Sequence, residues 1–131
     1  MLTLTEIFTI IIVHWIADFW LQTDWQATNK SKNIKALFQH TFTYSSVWIF
    51  FCLCMFNNNN IDTFFNLNWI YPIILFVWIT FIAHTITDYF TSRLNSYLWD
   101  KRKTHYFFVS IGGDQILHYI QLFTTYYYLK Q

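Results

Sequence analysis

The sequence predicts an all-α, polytopic membrane protein with four transmembrane helices in a single domain. Of its 131 residues, 55% are hydrophobic and only 11% are charged. An ordinary soluble domain carries about 25% charge. Aromatic residues reach 24%, which excludes a disordered chain. Two glycines and one proline are too few turn formers for a β-sandwich or barrel. Two cysteines make no disulfide scaffold. A net charge of +1 gives no electrostatic reason to expect nucleic acid as a partner.

A helix needs roughly 20 mostly apolar residues to cross a bilayer. The first such segment is Leu2–Leu21. A polar connection, Asp24–Lys35, follows it and holds Lys30, Lys32 and Lys35. The second segment, Ala36–Phe56, contains Cys52 and Cys54. Two residues apart on a helix they face different ways, so they are expected to stay unpaired. Asn57–Asn68, with four consecutive Asn, reads as a solvated loop. The third segment is Trp69–Phe90, and a second basic connection spans Arg93–His105 with Lys101, Arg102 and Lys103. The fourth, Tyr106–Leu129, is interrupted by Gly112, Gly113, Asp114, Gln115 and His118. Basic loops stay on the cytoplasmic side. Both Lys/Arg-rich connections are therefore expected inside, and both termini and the Asn-rich loop outside.

Seven ionisable residues lie within these segments or at their inner ends: His14, Asp18, His40, His84, Asp88, Asp114 and His118. A central Asp costs roughly 2.5–3.5 kcal/mol on insertion scales. Three of them unpaired in lipid would consume most of a domain's stability, so they must face one another, water or a cation. His14 and Asp18 are four residues apart, as are His84 and Asp88, and Asp114 and His118. That spacing puts each pair on one helix face. Gln22, Gln121 and Tyr44 extend the polar stripes of helices one, four and two. The residues fall late in odd segments and early in even ones, which is the same side of a bilayer. His14-Trp-Ile-Ala-Asp18-Phe and His84-Thr-Ile-Thr-Asp88-Tyr form a weak internal repeat. Two hairpin repeats would bring the four stripes together.

Four His and three Asp converging from four helices suit a divalent metal: Zn²⁺ first, with Mn²⁺ or Fe²⁺ as alternatives. The candidate ligands are those seven residues. Asp18 or Asp88 is also the candidate general base. Gln22, Tyr44 and Gln115 are expected to support the ligands or donate to developing negative charge. The leading expectation is a metal-dependent hydrolase acting on a membrane lipid or a phosphoester. A divalent-cation or proton carrier is the rival, and a non-enzymatic interaction protein held by a buried polar network is the third reading. The apolar outer halves of helices one to three disfavour a through-path in one protomer, though a homo-oligomer could build one.

The motifs resemble those of a family of small phage and bacterial membrane proteins known only as a domain of unknown function. Its His-x-x-x-Asp-Phe-x-Leu-Gln run reads here His14 to Gln22, followed by Trp25 and a Lys-containing loop. Leu37-Phe-Gln-His40, His84 to Asp88, and Asp114-Gln115-Ile-Leu-His118 match its later motifs. Members often carry a Lys shortly after the second Asp, where this chain has Thr91, Ser92 and Arg93. The resemblance covers nearly the whole chain and implies a bacterial inner-membrane location, but no reaction. More remotely, the motifs are similar to those of membrane-bound metal-dependent hydrolases.

Overall fold

The computed structural model describes residues 1–56 and 70–131, and every regular element in them is helical. The Asn-rich connection and Trp69 lie outside the described residues. Helix α1 spans Leu4–Trp15 and runs directly into a π-helical turn over Ile16–Trp20. Then come α2 (Asp24–Asn29), α3 (Ile34–Phe56), α4 (Ile70–Asp100) and α5 (Thr104–Leu129).

Thr3 caps α1, and Glu6 reaches back to close a capping box. Threonine and a carboxylate three residues later satisfy two orphan backbone donors at once. The first helix differs from the expected Leu2–Leu21 in its last turn, where the Leu21 amide donates to the Ile16 carbonyl across five residues. Such π-bulges insert one extra residue into the turn, and this one carries Asp18.

The first basic connection is not a loop throughout. Thr23 and Gln26 form a second capping box and start α2, which packs on α3 and ends at Lys30. The third helix departs most from expectation. It passes Phe90 and continues to Asp100, so Arg93 lies on α4. Hydropathy falls after Phe90, but nothing in Thr91–Asp100 breaks a helix: the stretch has no Gly or Pro. The turn to α5 is a Schellman motif. Lys103 donates to the Leu98 carbonyl and Arg102 to that of Trp99, with Arg102 in the left-handed region at φ 55°. Helix α5 begins at Thr104 and runs through Gly112 and Gly113 without interruption.

Helix α4 packs along both α3 and α5, while α1 meets α3 and α5 more lightly. The enclosed core has two zones. One is apolar and aromatic, built from Ile10, Trp48, Phe51, Phe76, Leu122 and Tyr126. The other is polar and holds His14, Asp18, His40, His84, Asp88 and His118, all essentially inaccessible. The outward surface is apolar instead: Phe8, Phe42, Phe50, Trp78, Ile86 and Phe90 are more than half exposed. By length and composition, α4 is the one described helix apolar enough to cross a membrane. Helix α3 is long enough as well, but Gln39, His40 and the Thr and Ser residues of its first half reduce its mean hydropathy. Cys52 is buried and Cys54 exposed, both unpaired.

Candidate metal centre

Besides α1, which brings His14, four elements deliver the polar zone. The π-turn contributes Asp18, α3 His40 and Tyr44, α4 His84 and Asp88, and α5 Asp114, Gln115 and His118. Asp18, His40, His84 and Asp88 each offer one donor atom within 4.8 Å of the others, and Asp18, Asp114 and His118 form a second such set.

The first set has the dimensions of a coordination shell. Nε2 of His40 lies 3.1 Å from Asp18 Oδ1, 3.2 Å from Asp88 Oδ2 and 3.2 Å from His84 Nε2. His84 Nε2 lies 3.5 Å from Asp18 Oδ1 and 3.8 Å from Asp88 Oδ2. A tetrahedron of donors with metal bonds of ~2.0–2.1 Å has edges of about 3.3–3.4 Å. Hydrogen bonding explains only part of the crowding. One imidazole nitrogen serves one partner, yet His40 Nε2 faces three of these atoms, and Lys30 Nζ stands 3.4 Å away on a further side. Asp18 Oδ1 is buried without a hydrogen-bond partner, as are Asp114 Oδ1 and His118 Nε2, although the last two are 3.3 Å apart.

Charge is compatible with the same result. The ammonium of Lys30 donates to Asp88 and lies within electrostatic reach of Asp18 and Asp114. Three carboxylates against one ammonium leave two negative charges to be met in a buried volume, by protonated imidazoles or by a cation. A divalent cation balances them. The donor chemistry, two imidazoles with two carboxylates, fits zinc well and manganese or iron less specifically.

The other expected site residues sit around this set. His14 does not belong to either donor set, because both of its ring nitrogens are engaged. Nδ1 is 2.8 Å from the Tyr44 hydroxyl and Nε2 is 2.8 Å from Gln115 Oε1. The Gln115 oxygen can only accept, so Nε2 carries the proton and Nδ1 accepts from Tyr44. Gln115 turns its amide nitrogen to Asp18 and Asp114, and the Tyr44 ring stacks on His84 at 3.7 Å. Tyr44 and Gln115 thus orient the donors. Gln22 does not reach them, and its buried Oε1 has no partner. His118 touches both sets, 3.4 Å from Asp88 Oδ1 and 3.1 Å from His84 through its other nitrogen.

Two buried charged residues lie outside the seven that spacing singles out, one joining the centre and one remote from it. Lys30 Nζ donates to Asp88 Oδ2 at 2.8 Å. Burial works against its charge, but Asp88 and Asp18 outweigh that effect and raise its pKa above the ordinary lysine value. It supplies the ammonium that Thr91–Arg93 do not, since Arg93 folds back onto the Tyr89 carbonyl and ring. Nothing in its loop sequence marks it, because its position depends on how α2 returns the chain. The second is Glu6, a buried carboxylate at the far end of α1, which accepts from the Tyr126 hydroxyl and Lys130. The Thr3-x-x-Glu6 spacing was its available signal.

These features define an all-α protein with a buried His/Asp centre whose donors are positioned to hold a metal ion. The chain belongs to the family described as protein of unknown function (DUF3307), whose profile matches residues 7–131. No curated protein and no solved structure matches it.

Proposed function

We propose that this is an integral membrane protein of four crossings, built from α1, α3, α4 and α5, whose centre binds one Zn²⁺ and hydrolyses a phosphoester or lipid at the cytoplasmic face. The close grouping of donor atoms from Asp18, His40, His84 and Asp88 carries the metal assignment. The reversed surface supports the membrane assignment: polar groups are enclosed, while Phe, Ile and Trp face outward. A bound divalent ion would supply Lewis acidity and a more acidic water. With Asp18 and Asp88 as ligands, the role of general base passes to Asp114 and His118. They form a carboxylate–imidazole pair beside the four donors and can take a proton from water. Gln115 holds Asp114 in place, and Tyr44 with His14 holds Gln115.

A carrier would need alternating access to both sides. The aromatic core of Trp48, Phe51, Phe76 and Tyr126 fills the other half of the bundle, which favours one-sided access and hence the hydrolase. Elemental analysis of detergent-purified protein is the direct test. One equivalent of zinc per chain is expected, lost in His84→Ala and Asp88→Asn and retained in Asp114→Asn, which should lose phosphoesterase activity. Two equivalents would move Asp114 and His118 into coordination of a second ion. Zn²⁺ uptake into proteoliposomes would replace the hydrolase with the carrier. A protein free of metal would leave a structural network.

A further inference from the structure

A cleft of about 470 Å³ opens beside the centre, within the range of small-ligand sites. Its walls continue the elements that carry the donors. Gln22 lies four residues past Asp18, Ser92 four past Asp88, and Ile111 three before Asp114. Lys30 belongs to both places: it lines the cleft while its Nζ holds Asp88. A ligand in the cleft therefore lies one side chain away from the metal donors.

The lining chemistry is selective. Gln22 Oε1, Ser92 Oγ and Asn95 Oδ1 are buried without any hydrogen-bond partner, and all three residues line the cleft. Ser92 is only 8% exposed. Buried polar groups are rarely left unpaired, so orphans that share one cavity point to an absent partner. Two amides and a hydroxyl both donate and accept, which matches the hydroxyls of a polyol. The lining carries two ammonium groups, Lys30, already paired with Asp88, and Lys32, against the carboxylate of Asp100, and Lys32 is the cation left to meet an anion. Trp99 and Phe107, with ring centroids 5.0 Å apart, add an aromatic wall whose electron-rich faces suit the C–H side of a sugar or glycerol. A bare phosphate would leave the amide oxygens unserved, and a metal cation would meet two lysines.

We propose that this cleft is the head-group subsite of the centre and takes a phosphate ester of a polyol, of the glycerol phosphate class, with the phosphate on Lys32 and the hydroxyls on Gln22, Ser92 and Asn95. The assignment rests on the hydrolase reading for its purpose, but binding in the cleft requires no metal.

The full-length protein, labelled with 5-fluorotryptophan, tests it by ¹⁹F NMR, with the Trp99 resonance assigned through Trp99→Phe. Glycerol 3-phosphate, inorganic phosphate, and nanodiscs with or without phosphatidylglycerol are compared on metal-stripped and zinc-loaded samples. A saturable Trp99 shift is expected with glycerol 3-phosphate or with phosphatidylglycerol, and the responding arm identifies a free or lipid-borne ester. Lys32→Met and the milder Ser92→Ala should each weaken it, Lys32→Met by about tenfold or more, while the buried Trp48 resonance stays in place as a check of fold. No saturable shift in either arm, or an equal response to inorganic phosphate, overturns the proposal. A shift that persists in protein unable to bind zinc would sink the metal centre and leave the cleft standing. Zinc bound without a shift would do the reverse.

Discussion

Tyr44 shows how one side chain can set several others. Its hydroxyl engages Nδ1 of His14, whose tautomer Gln115 sets, and its ring covers the face of His84. Tyr44→Phe keeps the stack and removes only the hydroxyl. Outer-shell partners of this kind typically change metal affinity by roughly 10–100-fold. Zinc affinity, measured by competition with a chromogenic chelator, should fall within that range while the protein stays folded. An unchanged affinity would reduce Tyr44 to packing. The seven His and Asp residues were legible in the sequence because helical periodicity is a local property, and four-residue spacing places a pair on one face whatever surrounds it. Their division of labour was not legible. That His14 spends both nitrogens on Tyr44 and Gln115, and that Lys30 reaches Asp88 across 58 positions, depends on tertiary placement.

Among the elements, the turn between α4 and α5 carries the clearest local cost. Arg102 occupies a left-handed position usually given to glycine. An L-residue pays roughly 1–2 kcal/mol there, partly offset because glycine loses more freedom on folding. Arg102→Gly is expected to stabilise the protein by up to about 1 kcal/mol, visible as a higher Tm in detergent. A lower Tm would show that the guanidinium makes a contact worth more than the strain. Helix ends were the least legible part of the fold. Hydropathy marks where a segment stops being apolar, and α4 continues ten residues past that point because its backbone has no reason to stop. Helix α2 was within reach of sequence reasoning, since Thr23 and Gln26 have capping-box spacing. The polar composition around them suggested a loop instead.

Viewed as a whole, the molecule has its enclosed polar zone at the end of α1 and in the π-turn, early in α3 and midway along α4 and α5, with α4 continuing to the basic turn Lys101–Lys103. The proposed topology puts that end in the cytoplasm. Single cysteines at positions 32 and 60, on a background lacking Cys52 and Cys54, should be distinguished by an impermeant thiol reagent on intact cells. Position 60 is expected to react and position 32 to be protected, and the opposite pattern would invert the protein. The weak repeat between His14–Asp18 and His84–Asp88 does not extend to equal geometry. The π-turn in the first helix has no counterpart in α4, and only the second motif contributes both of its residues to the four-donor set.

The light packing of α1 has a kinetic consequence. This helix leans on α3 and α5 with little area, and polar fastenings hold it near its two ends: Glu6 on Tyr126 and Lys130, and Asp18 among the metal donors. Under the proposed metal assignment, removing the ion releases one fastening and leaves like charges facing each other at the site, so the opening free energy of that helix should fall below that of α4. Amide hydrogen exchange on chelator-treated protein should then rise first in residues 10–20, with α4 still protected. Uniform acceleration across all helices would show instead that the bundle opens as one cooperative unit. Selective release would make α1 a gate whose latch is the metal itself, so that cation loading sets how long the first helix stays shut.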